Sequence, residues 1–161
     1  MNTLAVLRHL GGQVRSDRDV ASGLEADIAA FDSGGHRRWT VWRQADNQRI
    51  GRCGLFHIRS DAAPELLRGG NEVGWTFAEP YWGQGYASEA ARAVIAHFFA
   101  DPTKDVLWSQ TSESNLASTR MMARLGFSRQ AQLDYVDPDY PPQDNPTTVY
   151  RMGRGDWAAA A

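Results

Sequence analysis

A pair of glycines lies directly after an aromatic and β-branched segment of the chain and just before an alanine-rich one. The pair is Gly83 and Gly85, and the order of segments around it predicts a strand, a tight turn and a helix. Such a turn directs free backbone N–H groups and the positive end of a helix dipole at one point, where an anion can bind. Because glycine has no side chain, nothing there keeps a phosphate away from the backbone. The segment is therefore predicted to hold a diphosphate.

The elements that position this turn follow from hydrophobic periodicity. A strand is predicted over residues 71–78, and an apolar stripe that begins at Ala87 predicts a helix of about 15 residues. The strand from Val106 to Thr111 is reached through that helix, so it should lie parallel to the first strand with a right-handed connection. Another helix is predicted from Asn115 to Leu125. Both helices then begin at the same edge of the sheet, where ligands of α/β sheets tend to bind.

The remaining segments complete a mixed, mainly antiparallel sheet. A capping box formed by Ser16 and Asp19 predicts the start of a helix that ends at Gly34-Gly35. The further strands are predicted at Arg38 to Arg43, Ile50 to Ile58, Ser128 to Val136 and Thr147 to Met152. The predicted fold class is α/β, with a splayed parallel junction at the centre of the sheet and helices on both of its faces.

Composition narrows the class of protein. The chain has 161 residues, which predicts one domain over residues 1–161. Its 17 Lys and Arg against 19 Asp and Glu give no general field for nucleic acid or an anionic membrane, and no apolar run approaches the roughly 20 residues that span a bilayer. The single cysteine, Cys53, fits a reducing compartment, so a cytoplasmic protein is expected. The four histidines lack ligand spacing, and no metal site is predicted.

Three motifs follow one another in the order expected of one enzyme family. They are the acidic strand Glu72-Val73-Gly74-Trp75, the loop Trp82-Gly83-Gln84-Gly85-Tyr86-Ala87-Ser88-Glu89-Ala90, and the set Asn115, Ser118 and Arg120 followed by Leu125-Gly126-Phe127. Together they resemble the GNAT superfamily of N-acetyltransferases, in the branch that includes the ribosomal-protein N-terminal alanine acetyltransferases. The likeness extends from about Trp39 to Trp157. It implies direct acetyl transfer from acetyl-CoA to a primary amine, either a protein or peptide N-terminus or a small molecule.

The resemblance also implies roles for individual residues. Glu72 is the candidate base that removes a proton from the amine, and its place in a strand beside Val73 and Trp75 would partly desolvate it and raise its pKa. Ser118 is the candidate proton donor to the departing sulfur, although a tyrosine (Tyr86, Tyr135 or Tyr150) could do this instead. The candidate acetyl-CoA-binding residues are Thr76, Phe77, Ala78, Trp82, Gly83, Gln84, Gly85, Tyr86, Ala87, Ser88, Asn115 and Arg120.

Two features depart from the family's pattern. The superfamily's loop begins with Arg or Gln, whereas this chain has Trp82, which matters little if the donors are backbone amides. Family members also open with a strand and a helix that are shortened here. Either residues 4–8 are a remnant of that strand, or the strand is missing and the exposed sheet edge invites pairing with a second chain. Both a monomer and a homodimer are therefore compatible with the sequence.

The acceptor side and the activity itself leave alternatives. A late acidic cluster, Asp134, Asp137, Asp139 and Asp144, would attract a cationic acceptor, or it is a solvated loop stiffened by proline. The alternative to an enzyme is a catalytically silent acyl-CoA-binding regulatory module, because loss of the first strand would disturb the acceptor side. A dinucleotide-binding domain is disfavoured, since Ser88 stands where that motif has its third glycine.

Overall fold

A computed structural model describes residues 1–32 and 38–160 of the chain. Within these residues helices and strands form a mixed α/β fold, as predicted. The elements are α1 (Leu4–Leu7), α2 (Asp17–Asp32), β1 (Arg38–Arg43), β2 (Gln48–His57), β3 (Asn71–Phe77), α3 (Tyr86–Ala100), β4 (Val106–Ser112), α4 (Leu116–Leu125), β5 (Ser128–Arg129), β6 (Thr147–Gly153) and α5 (Arg154–Ala160). The predicted hairpin, central strands and two central helices are all present, within two residues of their predicted bounds.

The described sheet has the strand order β1-β2-β3-β4-β6-β5 and opens at its centre. All neighbouring strands are antiparallel except β3 and β4, which are parallel and share one registered pair, Glu72 with Trp108. Next to that pair, the hydroxyl of Ser109 donates to the carbonyl oxygen of Val73 at 3.0 Å. Glu72 is the second residue of β3, and the residues of β3 after it share no registered pair with β4 in the described sheet. The two strands therefore diverge from this point. We call this gap, between the later parts of β3 and β4, the wedge.

Helices cover both faces of the sheet, as predicted. Helices α3 and α4 pack on one face, where Cys53 and Leu55 of β2 join their apolar residues in the main core. Side chains alternate between faces along a strand, so Arg52 points to the opposite face. There Asp27 of α2 lies 3.7 Å from Arg52 and 3.3 Å from Arg38.

The first residues of the chain are helical. Leu4–Leu7 form a short helix whose first turn is capped by the hydroxyl of Thr3, which accepts from the amide of Val6 at 3.3 Å. A remnant strand at residues 4–8 is therefore wrong, and β1 is the edge of the described sheet. The cap predicted at the start of α2 is confirmed, since the Ser16 hydroxyl accepts the backbone amide of Asp19 at 3.2 Å. The predicted helix end at Gly34-Gly35 lies outside the described residues.

The predicted strand from Ser128 to Val136 is wrong beyond its first two residues. Only Ser128–Arg129 pair with β6, and a single 3-10 turn and one isolated bridge follow. The strand ends because a side chain forms a hydrogen bond that the backbone of a continuing strand would have formed. A carboxylate oxygen of Asp134 accepts the amide of Val149 at 3.1 Å, which a continuing strand would have bonded with a carbonyl. The last strand, predicted to begin at Thr147, is confirmed.

Candidate active site

The loop between β3 and α3 is held from inside by two of its own side chains. The indole of Trp82 donates to the carbonyl of Phe77 at 2.7 Å, and the amide of Gln84 donates to the carbonyl of Pro80 at 2.7 Å. A single 3-10 turn, Glu79–Tyr81, connects these contacts. Trp82 thus braces the loop with its side chain, which explains why an aromatic residue can stand at this position.

The two glycines leave open space in front of the loop. Gly83 has φ +71° and Gly85 has φ +86°, both left-handed, and a β-carbon placed on either would meet no described atom within 4 Å. Gly85 precedes the first turn of α3, and no described side chain caps that turn. The first amides of α3, from Tyr86 to Ser88, therefore lack side-chain acceptors there. This arrangement fits an anion such as a diphosphate.

One of the three predicted strand amides lies on the wedge side. The amide of Ala78 donates to the carbonyl of Ile50 in β2 at 3.0 Å. Hydrogen-bonding direction alternates along an antiparallel pair, so Thr76 also points toward β2 and Phe77 points away from it. The carbonyl of Phe77 already accepts from Trp82. Its N–H group is thus the one of the three that faces the wedge.

Helix α4 begins shortly after β4, the strand on the other side of the wedge. The side-chain oxygen of Asn115 accepts the amide of Ser118 at 3.3 Å, and its amide group donates to Thr111 at 3.0 Å. Asn115 is therefore the N-cap of α4, a role that fixes its side chain toward β4. Ser118 is half-buried in the first turn of this helix, whereas Arg120 is exposed. Of the third motif, Asn115 and Ser118 therefore lie at the end of α4 that follows β4, whereas Leu125 and Phe127 are buried in the main core.

Glu72 is half-buried at the narrow end of the wedge. One of its carboxylate oxygens accepts from the side chain of Gln110 at 3.1 Å. On the same face of β3 the ring of Phe56 lies across Gly74, where a β-carbon would come within 2.7 Å of it. Loss of solvation raises the pKa of Glu72 from 4.5 to about 7, against the opposing effect of the hydrogen bond from Gln110. A carboxyl with this pKa can accept a proton near neutral pH.

The candidate tyrosines occupy different surroundings. Tyr135 donates its hydroxyl to the side-chain oxygen of Gln110 at 2.8 Å. Burial raises the pKa of Tyr135, and the nearby charges of Asp137 and Glu72 raise it further. Tyr150 is buried in the main core, with Arg129 5.4 Å above its ring. Its hydroxyl is therefore a poor candidate for proton donation to a ligand in the wedge.

The late acidic cluster is largely used to hold its own loop together. Asp134 pairs with Arg129, and buried Asp137 accepts the amide of Asp139 at 3.0 Å. Asp144 is also buried and lies 3.4 Å from His9. Its second carboxylate oxygen has no hydrogen-bond partner among the described residues. The cluster is thus structural in part, and Asp137 also acts electrostatically on Tyr135 next to Glu72.

A comparison of the sequence with models of protein families identifies the family of this chain. The model of the acetyltransferase (GNAT) domain matches residues 2–128. The chain belongs to the GNAT family. This confirms the resemblance drawn from the three motifs, and it makes the protein an N-acetyltransferase.

Individual relatives agree with this assignment. YoaA of Bacillus subtilis (strain 168), named an uncharacterized N-acetyltransferase, is 24% identical over 149 residues, which are 91% of this chain and 80% of YoaA. The aminoglycoside acetyltransferase AAC(6')-Ib in complex with coenzyme A has a TM-score of 0.77 at 19% identity, covering 98% of this chain and 87% of that one. RimL, a ribosomal L7/L12 α-N-protein acetyltransferase in complex with coenzyme A, has a TM-score of 0.69 at 17% identity, covering 87% and 74%. At these identities the two structures show a shared GNAT fold.

The geometry adds residues that sequence reasoning missed. Gln110 bonds the carboxyl of Glu72, and Phe56 is the residue opposite Glu72 on β2. They lie 38 and 16 positions away from Glu72 in the chain. Their side chains meet only when β2, β3 and β4 are assembled. The available signal was strand alternation, which places Trp108 and Gln110 on one face of β4. In the described residues there is no cluster of three or more potential metal ligands, and no helix long and apolar enough to cross a membrane.

The raised pKa of Glu72 predicts a stability effect. An unfolded Glu72 ionises near pH 4.5 and a folded one near 7, so the folded state loses stability as pH rises through that window. Glu72→Gln should therefore raise the free energy of unfolding by about 1–3 kcal/mol at pH 8 and hardly change it at pH 5. Urea denaturation at the two pH values measures this difference. An equal effect at both would show that the carboxyl is not desolvated.

Proposed function

We propose that this GNAT protein transfers an acetyl group from acetyl-CoA directly to a primary amine, either a protein or peptide N-terminus or a small molecule. The observation that carries the proposal is the wedge. It has an open glycine loop at one end and a desolvated carboxyl, Glu72, at the other. The first feature fits a diphosphate, and the second fits deprotonation of an amine. Glu72 is the second residue of β3, and the glycine loop follows the end of the same strand.

The residues available to hold acetyl-CoA line the loop and the two walls of the wedge. The amides from Gly83 to Ser88 would bind the diphosphate, and the N–H of Phe77 would bind an amide oxygen of the pantetheine arm. Asn115 fixes the start of α4 on the other side. Arg120 is exposed on that helix and would approach a phosphate. Acetyl-CoA supplies the activated thioester carbonyl on which the transfer depends.

The residues around the wedge account for the protons of the transfer. The amine nitrogen forms a bond to the acetyl carbon as the carbon–sulfur bond breaks. Glu72 takes a proton from the amine nitrogen, directly or through a water molecule. Ser118 passes its hydroxyl proton to the departing sulfur and is reprotonated by solvent water. The apolar ring of Phe56 limits the solvation of Glu72 and so keeps the carboxyl basic enough for this task.

A positively charged acceptor fits the electrostatics of the site. Glu72 and Asp137 both raise the pKa of Tyr135, and both act on Tyr140 as well. These charges would attract an ammonium group to the face of β3 that carries Glu72. We also propose a cytoplasmic location, which fits the one cysteine being a buried free thiol.

A thiol-release screen tests this function. Purified protein and acetyl-CoA are incubated with peptides, polyamines, amino acids and aminoglycosides, and free CoA is measured with a thiol reagent. The proposal expects turnover with at least one primary amine and none with the matching N-acetylated compound. Tight binding of CoA in calorimetry, with no turnover on any amine, would contradict it and favour a silent acyl-CoA-binding module.

Ser118→Ala tests the proton donor. If the hydroxyl protonates the departing thiolate, kcat should fall about 10-fold or more while the KM for acetyl-CoA changes little. Thr119→Ala is the control, because its hydroxyl bonds the carbonyl of Leu116 within the helix. Steady-state kinetics of both variants give the comparison. If kcat is unchanged in Ser118→Ala but falls in Tyr86→Phe, the proton donor is Tyr86, at the start of α3, and not Ser118.

A further inference from the structure

Gln110 occupies the position between the two titratable groups at the narrow end of the wedge. Its side-chain nitrogen donates to Glu72 at 3.1 Å, and its side-chain oxygen accepts from the hydroxyl of Tyr135 at 2.8 Å. One residue of β4 therefore bonds a side chain of β3 and ties it to the late loop.

The polarity of these bonds has a chemical consequence. A primary amide offers an oxygen that only accepts and a nitrogen that only donates. With Tyr135 donating to the oxygen of Gln110, the nitrogen is directed at Glu72, which must accept. The arrangement therefore favours the ionised carboxylate of Glu72 and opposes its protonation.

The opening of the sheet fixes where the side chain of Gln110 lies. Glu72 and Trp108 are the registered pair of β3 and β4 in the described sheet, and Gln110 lies two residues further along β4, on the same face as Trp108. The bond between Ser109 and Val73 holds the two strands together at this point. The side chain of Gln110 can therefore reach the carboxyl of Glu72 from the neighbouring strand.

We propose that Gln110 is a positioning residue for the amine-deprotonating step, because it holds the Glu72 carboxylate in one orientation and links it to Tyr135. This rests on the proposed function, in which Glu72 is the base. Gln110 acts through Glu72 and has no contact of its own with the reacting atoms. It restricts rotation of the carboxyl and leaves its other oxygen for the amine or for a bridging water.

The groups that face Glu72 define what a titration would report. Tyr135 and Tyr140 feel its charge, and the pKa of each is raised, chiefly by burial. Asp137 acts on both tyrosines, and Arg15 acts on Tyr140. From β2 and β4 the nearest neighbours are apolar rings, together with Gln110. A change in titration on altering Gln110 therefore reports the lost hydrogen bond.

The test is an NMR titration of the 13C-labelled side-chain carboxyl of Glu72, which needs no acceptor. Gln110→Met keeps the length of the side chain and removes both of its polar groups. We expect the pKa of Glu72 to rise by about one unit, and the acid limb of kcat/KM to move by the same amount with the best amine of the screen. Turnover at pH 7 should fall about tenfold, with an unchanged Kd for acetyl-CoA. The control is Gln132→Met, whose side chain is exposed.

The outcomes separate this inference from the proposed function. A Glu72 titration that is the same in Gln110→Met and the parent protein overturns the inference alone. If the pKa of Glu72 changes in Gln110→Met but the acid limb of kcat/KM does not, Glu72 is not the base. The inference then fails as well. In the Glu72→Gln background, Gln110→Met should cause no further loss, and a further loss counts against action through Glu72. If Gln110→Met does not fold, Tyr135→Phe should still raise the pKa of Glu72 by about 0.3 unit, and no rise overturns the link.

Discussion

Gly85→Asp is expected to lower the affinity for acetyl-CoA by about 100-fold or more. A β-carbon at Gly85 would enter open space in front of the loop, so the new carboxylate would occupy the place proposed for the diphosphate. Like charges a few ångströms apart repel by several kcal/mol even when partly solvated. The new side chain would also be strained at φ +86°. Calorimetric titration with CoA measures the loss.

Two matched variants separate charge from strain. Gly85→Asn has nearly the same size as Gly85→Asp and tolerates a left-handed backbone, but it carries no charge, and we expect a loss of about tenfold or less. Gly69→Asp introduces the same residue at φ +73° with open space around it, far from the loop in the sequence. It should bind CoA normally. If Gly85→Asp also binds CoA with the parent affinity, the loop is not the diphosphate site.

Glu72→Gln is expected to lower kcat by about 100- to 1,000-fold near pH 8 and to leave the Kd for acetyl-CoA unchanged. The amide keeps the size of the side chain and can accept the bond from Gln110, but it cannot take a proton. The parent enzyme should show an acid limb near pH 7, which reflects the pKa of Glu72. The variant should lack that limb, and its deficit should shrink at pH above about 10, where the amine is already neutral.

The exposed Glu65 gives the control for this substitution. Glu65→Gln removes one negative charge from the 58–70 loop and should leave both kcat and the pH profile unchanged. Stopped assays with acetyl-CoA and one fixed amine across the pH range provide the comparison. If Glu72→Gln retains the parent profile, Glu72 takes no part in proton transfer, even though it lies in the wedge.

The sequence predicted the parts of the site that local rules control. Gly83 and Gly85 indicated a left-handed turn before a helix, and Asn115 indicated a helix cap, because these preferences act within a few residues. The parallel junction followed from the helical crossover between β3 and β4. The membership of the chain in the GNAT family was also visible in the order of its motifs.

Other features required contacts between distant segments. The hydrogen bond from the amide of Val149 to the carboxylate of Asp134 ends a strand that the residue types of this segment favoured. No local pattern indicates such a bond. The same holds for Gln110, which lies among polar residues of an ordinary strand until the opening of the sheet brings it to Glu72. Long-range side-chain bonds of this kind are decided by tertiary structure, so a sequence pattern could not predict them.

A crystal structure with bound acetyl-CoA tests the central claim most directly. The account predicts that the diphosphate lies against the backbone amides between Gly83 and Ser88, with the pantetheine arm between β3 and β4 and the thioester toward Glu72. Density for CoA on another surface, or a wedge closed by a continuous β3–β4 ladder, would contradict it.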